Sequence, residues 1–163
     1  MLTAGHLREI LNYDPETGVW KWIARTARCI HIGDVAGSMK GQGYWQIQID
    51  GHNYFAHRLA WLYMTDEWPT CQIDHINLDR ADNHWTNLRE ATASQNRANI
   101  RPQINNTSGF KGVSWKKRSN WWETQIEVNG KGIYLGHFDC PAAAHFAYIV
   151  AAEKYFGEFA RVT

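Results

Sequence analysis

The 163-residue sequence has no run of about 18 apolar residues, so no segment is expected to span a membrane. Its start, MLTAGHLREIL, lacks a basic stretch followed by an apolar core, which argues against a secretory leader. Cysteine is sparse and scattered. Cys29, Cys71 and Cys140 form no CxxC pair, which excludes a paired-cysteine zinc site and a disulfide framework and makes a reducing cytoplasm the expected setting. There is no internal repeat and no low-complexity tract. A dominant sign of charge is missing too: the net charge is +1.

That average hides two unlike parts. Residues 1–96 carry eight Lys/Arg and eleven Asp/Glu, a balance of −3, whereas residues 97–163 carry nine and five, a balance of +4. Lys111, Lys116, Lys117 and Arg118 cluster in the second part. Such a cluster fits a polyanion, and it equally fits the solvated lysines of an ordinary surface, so charge alone does not decide for nucleic acid. With 44% apolar and 20% charged residues the chain suits a soluble globular protein of one domain or two small ones.

Local signals organise the chain. A short helical pattern (Leu2, Leu7, Ile10, Leu11) leads through the turn YDPETG into the strand-like VWKWIA. YWQIQI (44–49) alternates and meets Asp50-Gly51, a two-residue hairpin signal, and HRLAWLYM (57–64) has the spacing of a short buried helix. Residues 101–108 lack periodicity and are expected to link a domain over 1–100 to one over 109–163. In the second domain GFKGVSWKKR, WWETQIEV and GIYLGHF read as three antiparallel strands, with Asn129-Gly130 as a tight turn. Pro141 then opens an alanine-rich helix that stops at Gly157. Along the second strand Trp122, Thr124, Ile126 and Val128 share the face expected to cover the helix, leaving Glu123, Gln125 and Glu127 on the other. The fold class is α+β.

Residues 71–96, CQIDHINLDRADNHWTNLREATASQN, are crowded with Asp, His and Asn. QIDHI reads as a short strand carrying Asp74 and His75 at its end, NLDRADNHWT as a turn-rich loop, and NLRE as a second strand. Thr92 followed by Gln95 is a capping-box pattern, which starts a helix and puts Asn96 near its first turn. Asp and Asn oxygens suit a hard cation such as Mg²⁺, and a neutral histidine beside them can act on water; phosphodiester hydrolysis needs both. Blander readings serve the neighbours: Asn83 as a turn residue, Asp79 and Asp82 as loop acids capping amides, His84 and His57 as solvated or structural.

This stretch, with HRLAWLYM and the DN…NLREAT run, resembles the HNH (ββα-metal) nuclease family, and specifically its phage and intron homing branch. The resemblance implies a metal-dependent DNA endonuclease with Asp74 and Asn96 holding one divalent ion, Mg²⁺ or Mn²⁺. It makes His75 the general base and gives Asn87 an orienting role at the catalytic centre. GFKGVSW, Trp122 with Gln125 and Ile126, IYLGHFD and the helix ending YFGEFAR are similar to the Apetala/ethylene-response-factor DNA-binding domain, in which a three-stranded sheet packed on one helix enters the major groove. The matching positions are Lys111, Ser114, Lys116, Arg118, Gln125, Glu127, Gly132 and Tyr134. Ser114, Glu127 and Gly132 stand where plant members often carry Arg, which leaves the DNA sequence read open. The expectation is an enzyme that nicks double-stranded DNA at a site found by its C-terminal domain, acting in the cytoplasm of a host cell as a monomer, without a membrane or a small-molecule cofactor. A non-catalytic DNA-binding regulator and a nuclease serving phage packaging or restriction are the alternatives.

Overall fold

Thr3 opens the first helix, α1 (Ala4–Ile10), by accepting a hydrogen bond from the His6 amide at 3.3 Å. The computed structural model describes residues 2–102 and 106–162. It divides into two compact units, Met1–Glu90 and Ala91–Thr163.

In the first unit, β1 (Leu11–Tyr13) pairs antiparallel with β2 (Trp20–Trp22). The Asp14 carboxylate closes the turn between them, accepting from the Glu16 amide (3.0 Å) and the Thr17 hydroxyl (2.7 Å). Next come β3 (Ser38–Lys40), β4 (Tyr44–Ile49) and β5 (His52–Phe55) in the order β3-β4-β5, with Asp50-Gly51 in the last hairpin, both at positive φ. Helix α2 (Ala56–Thr65) buries Ala56, Leu59, Ala60 and Leu62 at helical spacing and stops at Asp66, which takes a left-handed φ of 66°. These side chains, with Leu7, Leu11, Trp20 and Ile47, make the core. β6 (Gln72–His75) and β7 (Leu88–Ala91) form a two-stranded sheet, joined by a loop that ends in a 3₁₀ turn, Trp85–Asn87.

The second unit begins with α3 (Ala93–Asn99), whose capping box is complete: the Gln95 amide donates to Thr92 Oγ1 (3.2 Å) and the Thr92 amide to Gln95 Oε1 (2.9 Å). β8 (Val113–Lys116), β9 (Trp121–Val128) and β10 (Lys131–Phe138) form an antiparallel sheet in the order β10-β9-β8. Helix α4 (Pro141–Phe156) packs on it: Thr124 and Ile126 are buried on the helix side, with Ala144, Tyr148, Ala151, Ala152 and Phe156 opposite. The division between the two compact units falls between Glu90 and Ala91. Hydrophobic burial explains this, because Ala91 and Ala98 lie in the second unit's core with Tyr148, Phe156 and Phe159. Residues 103–105 of the expected linker lie outside the described residues.

Gly18 is required where the β1–β2 turn meets the β6–β7 loop. Its φ is +69°, and a Cβ there would sit 2.5 Å from the Asn83 carbonyl carbon, a backbone atom that cannot swing aside. Gly18→Ala should therefore cost the first unit about 2 kcal/mol in urea unfolding. A loss under about 0.5 kcal/mol would show that the turn does not brace the loop.

Candidate functional site

Four residues at the end of β6 and in the loop after it define the centre of the first unit. Asp74 and His75, adjacent on the strand, are buried to 3% and 4% exposure. A carboxylate cannot be taken out of water without a partner, and Arg89 on β7 provides one: its Nε and Nη2 both donate to Asp74 Oδ2 at 3.0 Å. The His75 Nε2 lies 3.4 Å from Asn83 Oδ1. Asn83 is itself held on two sides, its amide donating to the Ala81 carbonyl (3.0 Å) and its carbonyl accepting from Tyr13 Oη (2.6 Å). Around the His75 ring stand His57, edge-on at 4.9 Å, and Tyr44 at 6.0 Å; Phe55 stacks on His57 at 5.5 Å.

Burial pushes the His75 pKa below its ordinary value, against the Asn83 hydrogen bond and the nearby Asp74, Asp82 and Asp79 charges, which raise it. The imidazole is therefore neutral at neutral pH and keeps a lone pair for a proton. Burial takes His57 much further, to about 3. Its Nδ1 is buried without a hydrogen-bond partner among the described residues.

Asn87 pins the loop that carries these groups. Its Oδ1 accepts from the Asn77 amide (3.0 Å), and its Nδ2 donates to Asn77 Oδ1 (3.1 Å) and to the Asp82 carbonyl (2.8 Å). Asp79 and Asp82 accept from the amides of Ala81 (3.0 Å) and His84 (3.2 Å), as loop acids do, and Asp82 is also hydrogen-bonded to the His84 ring. Asn96 lies on α3, in the second unit.

In the second unit, Ser114, Lys116, Arg118, Gln125 and Tyr134 are exposed. Strand register sets Ser114 opposite Glu123 and Tyr134 opposite Gln125. These residues lie on the face of β9 away from α4. Lys116 Nζ is 3.0 Å from Glu123 Oε1, and Tyr134 Oη 3.0 Å from His137 Nδ1. Glu127, which would repel phosphate alone, is ion-paired with Arg97 of α3. Lys111 differs from the rest: it is half-buried, and its Nζ donates to the carbonyls of Ala98, Ile100 (2.8 Å) and Arg161 (3.3 Å).

Two family matches divide the chain: an HNH endonuclease match over residues 54–98 and an AP2 domain match over residues 108–158. Protein 3.8 of Escherichia phage T7 is 33% identical over 89 residues, which cover 55% of this chain and 73% of that protein. The chain belongs to the HNH endonuclease family. This endonuclease is a hydrolase that cleaves DNA, and it carries an AP2 domain after its HNH segment. The AP2 part is 43% identical over 51 residues to the AP2-like ethylene-responsive transcription factor TOE2 of Arabidopsis thaliana, covering 31% of this chain and 10% of the plant protein. Among solved structures the chain is similar to the HNH homing endonuclease I-HmuI, described as binding and cleaving DNA, at 16% identity and a TM-score of 0.42, over 89% of this chain and 84% of that one.

HNH nucleases use a divalent ion. The chemistry of Asp74 fits one, because a carboxylate offers hard oxygen donors.

Three residues at the centre escape a reading of the sequence. Arg89 is a plain strand arginine until β7 pairs with β6, and Asn83 looks like a turn residue. His57 begins a helix, with nothing nearby in sequence to place it against His75. Arg89→Ala would remove the guanidinium that meets a buried carboxylate and should lower the unfolding free energy by about 3 kcal/mol. Arg89→Lys should recover only part, because one ammonium cannot replace two donors from a planar group. Equal stability of Arg89→Ala and wild type in urea would show that the pair is not structural.

His57 sets a pH dependence. Unfolded it takes up a proton near 6.5, folded only near 3, so the unfolded chain binds more protons in between. Stability is complete above pH 6.5 and is lost as pH falls toward 3. Between about pH 7.5 and about pH 5 the His57 contribution should be about 2 kcal/mol, and His57→Phe should remove it. An unchanged pH profile of unfolding in His57→Phe would contradict this account.

Proposed function

We propose that the protein nicks double-stranded DNA by metal-dependent hydrolysis, with His75 as general base, at sites located by its AP2 domain in a host cell. The observation that carries this reading is the neutral, buried His75 beside the buried carboxylate of Asp74, on a loop whose shape Asn87 holds. A divalent ion, Mg²⁺ or Mn²⁺, would be held by Asp74, and the HNH resemblance adds Asn96 as its second ligand. When bound it supplies positive charge against the phosphate and the leaving oxygen.

His75 removes a proton from water through a ring nitrogen. The resulting hydroxide forms the new bond to phosphorus, in line with the bond to the 3′ oxygen, which breaks. The 3′ oxygen takes a proton from solvent, leaving a 3′ hydroxyl and a 5′ phosphate. Asn83 and Asn87 do not touch the reacting atoms: Asn83 faces the base, and Asn87 keeps the loop from shifting it. One base and one carboxylate per chain serve one strand, so a single chain opens one strand.

The exposed sheet face of the AP2 domain is assigned to DNA, through Ser114, Lys116, Arg118, Gln125 and Tyr134. Glu127 adds little repulsion there, because Arg97 offsets its charge.

Supercoiled plasmid with Mg²⁺ should be converted by wild type to open circle, and not at all in EDTA. His75→Ala should be slower by roughly 100-fold or more, while binding the same DNA in EDTA as wild type does. Cleavage by His75→Ala at the wild-type rate would remove His75 from the chemistry; linear product at the earliest times would replace nicking with a double-strand cut.

A further inference from the structure

Helix α3 has seven residues. Isolated helices below about 12 residues are marginal in water, so a helix this short is held by what packs around it. All the supports that follow come from its own unit, which is the AP2 side of the chain. Ala98, with Ala91 just before the helix, enters the core formed by Tyr148, Ala152, Phe156 and Phe159. The Asn129 amide donates to Ser94 Oγ at 2.9 Å, and Arg97 pairs with Glu127 on β9. The closing end of the helix carries the densest support: Lys111 Nζ donates to the carbonyls of Ala98 and Ile100 and, from the chain's last segment, of Arg161. The Arg161 amide also donates to Ala98. Carbonyls at a helix C-terminus lack partners within the helix, and a cation there also meets the negative end of its dipole.

We propose that Lys111 is a positioning residue for DNA cleavage: it locks α3, and with it Asn96, onto the AP2 domain, so that this domain is part of the nuclease as well as its reader of DNA. The inference rests on the reading of Asn96 as a group the reaction needs. Lys111 lies where the AP2 resemblance places a DNA contact, but its ammonium is turned inward to three carbonyls. Burial lowers its pKa to about 8, so it is still mainly protonated at neutral pH. The HNH match ends at residue 98, on a helix whose fold depends on a lysine and a sheet that belong to the other family's match.

The test compares Lys111→Met and Lys111→Arg with wild type in the full chain. Three measurements are made: amide exchange over residues 95–99 without metal, affinity for duplex DNA in EDTA, and the cleavage rate at saturating DNA with Mg²⁺. Lys111→Met should lose protection in α3 roughly tenfold while the amides of Ile126 and Ala152 keep theirs, which separates local release from global unfolding. Its cleavage rate should fall about tenfold with DNA affinity changed less than about twofold, and Lys111→Arg, which keeps the charge and the donors, should recover most of both. Unchanged α3 protection, or weakened DNA affinity with an unchanged saturating rate, would overturn the proposal and return Lys111 to the DNA face. An Asn96→Ala variant identifies a failure of the underlying reading. If it cleaves like wild type, Asn96 is not needed and the role of Lys111 in cleavage falls with it, whatever the exchange data show.

Discussion

The buried ion pair of Asp74 and Arg89 is the constraint around which the first unit is arranged. A carboxylate at 3% exposure is tenable only if a cation meets it in a fixed geometry, and Arg89 meets it from the neighbouring strand with two donors on one oxygen. Strand β6 must therefore lie beside β7, and the loop between them must be stiff. Asn87, Asn77 and Asp82 make it stiff by bonding to one another and to the loop's own backbone. The adjacent His75 inherits this rigidity and is walled by His57 and Tyr44. The same burial that demands a partner for Asp74 keeps His75 neutral, which is the state a base needs.

The second unit solves a different problem. Its sheet has one face on α4 and one face in water, and the exposed face carries hydroxyl, amide, phenol and basic groups together with the exposed Trp121. Its charge is tempered by pairs, Lys116 with Glu123 and Arg97 with Glu127, which contribute little stability at the surface but shape the field a polyanion meets. Lys111 shows that a basic residue in such a domain need not face solvent. Its stem and ammonium are used to end a helix.

Elements governed by neighbours in sequence were legible beforehand. Thr92 and Gln95 are three residues apart and form the capping box expected of them. Asp50-Gly51 and Asn129-Gly130 take positive φ and turn the chain back, and α4 starts at Pro141 and stops at Gly157. The alternation along β9 placed Thr124 and Ile126 against the helix. The core that α3 joins was not legible, because it is decided by the packing of Ala91 and Ala98 with residues far along the chain.

Sequence alone determined the three strands of the second unit, the capped helix and the placing of Asp74 and His75 at a strand end, since each depends on backbone preferences and side-chain bonds within a few residues, whereas β1 and β3 of the first unit were not legible in it. Only tertiary structure decided what those groups feel. Arg89 reaches Asp74 across fifteen residues, Tyr13 reaches Asn83 across seventy, and Lys111 reaches Arg161 across fifty. Burial is likewise a property of the whole unit, so the shifted pKa values of His57 and His75 exist only after the core has closed around them.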